Sequence, residues 1–138
     1  MTSPLEILVA AGQLHSEPVD PGEYAGLVTS GRTRLADAVN SALSLESRFD
    51  LGYHAAHALC LAALRRAGFR SKNRYIVFQV LPHTLGLGPE VWRVLAKCHK
   101  RRNDAEYEGY VDMEERLVED LITAARAVQD ALEGLPPL

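Results

Sequence analysis

The chain has 138 residues, of which 47% are hydrophobic and 24% charged, and its net charge is −3. That length suits one domain with a continuous core, and that balance excludes a disordered chain. The negative sum excludes a protein that coats nucleic acid or anionic membrane over its whole surface, while leaving room for a local basic patch. No segment offers the roughly 18 apolar residues that cross a bilayer, so no membrane partner is expected. Met1-Thr-Ser-Pro-Leu-Glu6 lacks a basic region and carries a carboxylate at once, which does not read as a signal peptide. The expected location is the cytoplasm, where Cys60 and Cys98, far apart on apolar stretches, read as buried thiols.

Helix punctuation recurs along the chain. Ser3-Pro4-Leu5-Glu6 supplies an N-cap serine, a proline in the first turn and a capping-box glutamate. With Leu5, Leu8, Val9 and Gly12 it predicts a short first helix ending near His15. Asp20-Pro21-Gly22-Glu23 repeats the cap, and Tyr24, Val28, Leu35, Ala38, Val39 and Ala42 mark a long second helix, with Gly26 and Gly31 as weak points. A third helix is predicted from about Ser47 to Ala67, closed by Gly68 with Arg65 and Arg66 in its last turn. Arg74-Tyr-Ile-Val-Phe-Gln-Val-Leu81 has strand propensity, but a lone strand has no partner, so Asn73 to His83 reads as one short buried helix. Gly88-Pro89-Glu90 opens a fifth helix, Pro89 to Glu108. Asp112-Met113-Glu114-Glu115 caps a sixth, carried by Leu117, Leu121, Ala125, Val128 and Leu132 and ended by Gly134. The expected fold is all-α with no sheet: one antiparallel bundle of four to six helices in a single domain, 1–138.

Chemistry concentrates on the fifth helix. Val91, Leu95, Cys98, Arg102 and Ala105 step by four and three residues and form one stripe, in which Arg102 is the only charge. His99, Asn103, Glu106 and Tyr110 run beside it as a polar row. Arg102 has two readings. It snorkels to an acidic residue on a neighbouring helix, or its planar fork of donors awaits a phosphate, with Lys97, Lys100 and Arg101 adding positive charge. On the third helix Tyr53, His57, Cys60 and Leu64 share a face, where a histidine serves the core or a site; His54 lies next to it. No spacing of cysteine and histidine forms a metal site, no glycine-rich loop cradles phosphate, and no nucleophile elbow is present. No cofactor or metal is expected.

Tyr53-His-Ala-Ala-His-Ala-Leu-Cys-Leu-Ala-Ala-Leu64, Gly68-Phe-Arg-Ser and Arg101-Arg-Asn-Asp-Ala-Glu-Tyr-Glu-Gly109 together resemble the HEPN domain (higher eukaryotes and prokaryotes nucleotide-binding), over residues 20–133. The resemblance implies an antiparallel helical bundle, a homodimer with the motif helices near its interface, and an RNA or nucleotide ligand. Many members are metal-independent endoribonucleases and toxins of toxin–antitoxin systems, whose motif is an arginine followed, after four to six intervening positions, by a histidine. Some are partnered by a nucleotidyltransferase that modifies a tyrosine beside the motif, which here points to Tyr107 or Tyr110.

Arg102 and Asn103 match the start of that motif, but the histidine positions hold Tyr107, Glu108 and Gly109, and no histidine follows His99. Histidine has the near-neutral pKa that a general base needs, and tyrosine does not. The expectation is therefore a HEPN-like module in a bacterial toxin–antitoxin or defence setting. It would bind RNA, a nucleotide or a partner nucleotidyltransferase through Arg102, Asn103, Lys97, Lys100, Arg101 and Tyr107, without efficient cleavage. Two rivals remain: a ribonuclease whose base is His99 or His57, acting with Arg102 or Tyr107, and a structural homodimer in which Arg102 closes an ion pair. Trp92, Leu95 and Tyr107 are expected to share the dimer face.

Overall fold

Capping chemistry starts the helices where side chains can satisfy the free amides of the first turn. A computed structural model of the protein describes residues 2–109 and 112–138. In helix α1 (Pro4–Ala10) the Ser3 hydroxyl accepts the Glu6 amide, and the Glu6 carboxylate accepts the Ser3 amide in return, both at 3.2 Å. Asp20 Oδ1 accepts the Gly22 and Glu23 amides at the head of α2 (Pro21–Ala38). Ser44, not Ser47, caps α3 (Leu45–Arg66) by accepting the Ser47 amide. Asn73 caps α4 (Arg74–Gln79), which is followed by α5 (Leu81–Thr84), α6 (Pro89–Glu108) and α7 (Glu115–Glu133). The fold is all-α, with α2, α3, α6 and α7 of 18, 22, 20 and 19 residues as its frame.

Helix α3 is the central element and packs on α2, α7, α4 and α6. It can, because its inward positions are small: Ala55, Ala56, Ala62 and Ala63 are buried, and Gly52 admits the Leu121 side chain of α7. Gly31 of α2 lies so close to α3 that a Cβ there would fall 2.6 Å from Leu59. The glycine that weakens α2 as a rod is thus what lets it dock, and α2 is unbroken.

Several expectations need correction. Helix α1 stops at Ala10, because Gly12 turns the chain with φ +78°. His15–Ser16 (β1) then pairs antiparallel with Phe69–Arg70 (β2), so the chain contains a minimal two-stranded ladder where no sheet was expected. Helix α2 ends at Ala38; Val39 is its exposed C-cap and Ala42 lies beyond it, exposed. Residues 73–83 form two helices broken at Val80, since Pro82 has no amide to donate to the Phe78 carbonyl and its ring crowds that carbonyl. The N-cap of α7 is Glu114, not Asp112, and its side chain makes no capping bond. Trp92 is half-buried against the core, Leu95 is fully buried and Tyr107 is exposed, so these three do not share one free face.

The core also extends before residue 20. Leu5 and Leu14 belong to it, and Arg65, 2% exposed, reaches back to the same segment. Arg65 Nε donates to Glu23 Oε1 (2.5 Å), Nη1 to the carbonyls of Glu17 (3.0 Å) and Phe69 (3.2 Å), and Nη2 to the carbonyl of Pro18 (2.6 Å). Arg70 bonds the carboxylates of Glu17 and Glu23 beside it. A buried cation is tolerated only when paired and hydrogen-bonded, and here its donors are matched. Arg65 therefore does not merely complement the end of its helix; it fixes the first twenty residues to α3.

Candidate functional site

Three helices bring polar groups to one aromatic ring. Tyr53 of α3 is fully buried, and its ring packs edge-on to Phe78 of α4 (5.9 Å between centroids) and near-parallel to His99 of α6 (6.2 Å). The period that buries Phe49, Tyr53 and Cys60 on α3 places His57 on the same side, where it meets the Phe78 ring edge-on at 6.0 Å. On α6 the stripe that buries Val91, Leu95 and Cys98 continues into Arg102, whose side chain is only 21% exposed. Helical spacing puts His99 one turn before it.

The Tyr53 hydroxyl lies 2.8 Å from Nδ1 of His99, and Nε2 of His99 lies 3.3 Å from the Asn103 amide. An amide nitrogen only donates, so Asn103 Nδ2 gives a proton to Nε2, and the neutral imidazole carries its own proton on Nδ1, which donates to the Tyr53 oxygen. Two guanidinium groups flank the ring: Arg102 at 5.0 Å and Arg74, at the head of α4, at 5.8 Å from its centroid. Arg102 pairs with Glu106 one turn further along its own helix at 2.9 Å, not with a neighbouring helix. Arg74 makes no ion pair among the described residues, and its buried Nη1 has no hydrogen-bond partner.

The field of these cations acts on the imidazoles. Burial lowers the pKa of His57 to about 4, with Arg74, His54, His99 and Arg102 adding to the effect. Burial, then Arg102 and Arg74, lowers His54; burial, then Arg74 and Arg102, lowers His99. All three are neutral at pH 7. Two guanidinium charges within 12 Å of each other repel by about 1.4 kcal/mol or more at an effective dielectric of 20, a cost that an anion between them would reverse.

Beside Arg102 opens a groove of about 340 Å³, lined by Glu46, Phe49, Asp50, His54, Glu106 and Met113 among others. This volume lies at the small end of the range for ligand sites. Its lining mixes one cation and one imidazole with three carboxylates and three apolar side chains.

Of the residues singled out by sequence, Arg102, His99, His57 and Asn103 come together. Lys97 and Lys100 face solvent on α6, and Arg101 is engaged, its Nη2 donating to the Asp112 carbonyl at 2.9 Å. Tyr107 is 94% exposed, and Tyr110 lies outside the described residues. His15 and His83 are exposed and make none of the ring contacts around Tyr53 and Phe78. Sequence reading missed Arg74, the carboxylates Glu46 and Asp50, and the organising role of Tyr53. The one signal for Arg74 was a cation four residues before Phe78, hence on the same helical face. Cys60 and Cys98 are free and buried, and burial raises both thiols, Cys98 to about 12, so neither is a nucleophile. Among the described residues no group of three metal-ligating side chains exists, and no helix is long and apolar enough to cross a membrane.

Fold and site define an all-α protein with an arginine- and imidazole-lined site around a buried tyrosine. No protein-family model, no curated protein and no solved structure matches this chain.

Proposed function

We propose that this chain is a HEPN-like helical module that binds RNA through its phosphates and does not cleave it efficiently, in a bacterial toxin–antitoxin or defence setting. The carrying observation is the position of Arg102: held over Tyr53 at 5.0 Å and opening onto the groove. One nucleotide unit asks for three things there. Its phosphate needs a fixed cation, which Arg102 supplies; its sugar and base edges need acceptors, which Glu46, Asp50 and Glu106 supply; its base needs an apolar surface, which Ala105 and Met113 supply. Exposed Lys97 and Lys100 add a sequence-independent attraction along α6. A free nucleotide satisfies the same groove, and a homodimer or a nucleotidyltransferase partner is compatible with it.

Fluorescence anisotropy with a mixed-sequence single-stranded RNA tests this reading. Wild type should bind with an affinity that falls as salt rises, as counterion release requires, and Arg102→Ala should weaken binding by roughly 10-fold or more. Absence of binding at low salt would defeat the proposal.

One observation favours a second reading, a ribonuclease with a displaced base. His99 is neutral at pH 7, oriented by Tyr53, and shares that ring with Arg102. Cleavage of labelled RNA by wild type, lost in His99→Ala, would establish it in place of pure binding.

A further inference from the structure

The acidic lining of the groove raises a question that Arg102 alone does not answer. Arg102 already has Glu106 at 2.9 Å, and Glu46 and Asp50 line the same groove, so a phosphate entering there meets three carboxylates. On the α4 side of Tyr53 the balance is different. Arg74 has no carboxylate partner among the described residues, and its Nη1 is desolvated without a hydrogen bond. Imidazoles share its aromatic neighbours: Arg74 and His99 both pack against the Tyr53 ring, and His99 and His57 both meet Phe78 edge-on. A buried donor left unmatched is uncommon in a folded protein and asks for an acceptor. An acceptor bearing negative charge would satisfy Arg74 and allow a neighbouring imidazole to donate as well.

Resting on the RNA-binding reading, we propose that Arg74, with His57 and His99, forms a second phosphate-binding point adjoining the Arg102 groove, so that the ligand recognised is an oligonucleotide of at least two nucleotides and not a mononucleotide. Both guanidinium groups lie within 6 Å of the Tyr53 ring centre, and therefore within 12 Å of each other. Neighbouring phosphates of one strand are joined through a single sugar and its two ester linkages, a separation that falls within that span. A planar fork with a free edge is the side chain suited to a phosphate. The two points divide the work: the Arg102 groove takes one nucleotide with its sugar and base, and the Arg74 point takes the phosphate of its neighbour.

The test compares a 5′-phosphorylated dinucleotide, pApA, with AMP, by calorimetry on wild type, Arg74→Ala, Arg74→Lys and the remote control Arg126→Ala, each checked for folding by circular dichroism. Wild type should bind pApA roughly 10- to 100-fold more tightly than AMP. Arg74→Ala should abolish that preference while leaving AMP affinity within about twofold, Arg74→Lys should restore it in part, and Arg126→Ala should not alter it. In wild type alone, titration with inorganic phosphate should shift the imidazole signals of His57 and His99 in NMR spectra and raise their apparent pKa, a response that a purely structural Arg74 would not give. Equal affinity for pApA and AMP, or an unaltered preference in folded Arg74→Ala, overturns the second point while the groove reading stands. Binding of neither nucleotide nor RNA by wild type overturns the RNA-binding reading itself, and phosphate-sensitive imidazoles in that case would leave the Arg74 point standing as a simple anion site.

Discussion

The hydroxyl of Tyr53 and Nδ1 of His99 stand 2.8 Å apart across the α3–α6 contact, with the tyrosine entirely buried and the histidine half-buried. This bond fixes a tautomer as well as a contact. Asn103 Nδ2 donates to Nε2, so Nδ1 carries the proton and donates to the phenol oxygen. Tyr53→Phe should therefore leave Nδ1 without its partner and cost about 1–2 kcal/mol in chemical denaturation. Nitrogen NMR of the imidazole should show the Nδ1–H form in wild type and a tautomer mixture in the variant. An unaltered tautomer in folded Tyr53→Phe would mean that the phenol does not set it.

Acid should unfold this protein through its imidazoles before its carboxylates. His57 is lowered from 6.5 to about 4, and His54 and His99 are lowered in the same direction, chiefly by burial and by Arg74 and Arg102. Between the folded and unfolded pKa values the unfolded chain binds more protons, so stability falls as pH drops from about 6.5 toward 4. Each such histidine contributes a slope of up to about 1.4 kcal/mol per pH unit, and His57 alone on the order of 3 kcal/mol across the window. Urea denaturation at pH 7, 6, 5 and 4.5 measures it, and His57→Gln should flatten the slope. Glu23, held below the usual carboxylate range by hydrogen bonds from Arg65 and Arg70, adds a further loss only below about pH 4.5.

Two glycines of one helix should respond oppositely to alanine. Gly31→Ala would press a Cβ to 2.6 Å from Leu59 and 3.2 Å from the Ala55 carbonyl, forcing α2 off α3. The expected loss is about 1–3 kcal/mol, larger than the helix-propensity gain. Gly26→Ala meets nothing within 4 Å and should stabilise by roughly 0.5–1 kcal/mol. Thermal denaturation of both variants checks the sign, which packing alone reverses.

Removal of Glu23 should cost more than an exposed acid normally does. Its carboxylate receives Arg65, which is 2% exposed, and Arg70. Glu23→Ala would leave Arg65 with Glu17 at 3.4 Å and three carbonyls, and should lose about 1–3 kcal/mol, the range of a hydrogen bond to a charged group. Glu119→Ala, an exposed acid on α7, should change stability by less than about 0.5 kcal/mol.

The frame was legible in the sequence because local rules govern it. Ser3, Asp20, Asn73 and Gly88 announce helices wherever they stand, and the α6 stripe placed Arg102 at the margin of the packed face before any tertiary contact was known. Val80 was misread because the Pro82 break depends on a single missing amide inside an apolar run. The β1–β2 ladder was invisible for a different reason: two-residue strands carry no period. Arg74 escaped because its role depends on what surrounds it. A cation at the head of an apolar helix is ordinary until the fold sets it beside a second guanidinium and, among the described residues, gives a carboxylate to that one and none to Arg74.

The Arg65 clamp sets where this domain begins. The family resemblance covers residues 20–133 within the single domain expected over 1–138, and charge accounting shows why the leading segment belongs to that domain. A version starting at residue 21 would keep α2, α3, α6 and α7 intact, yet it would strip Arg65 of the Glu17 carboxylate and of two of its three carbonyl acceptors, and uncover the core that Leu5 and Leu14 close. The minimal folding unit is thus defined by the solvation of one cation at the far end of α3. Transplanting the binding helices into another scaffold would require either carrying that leading segment along or replacing Arg65 with an apolar side chain.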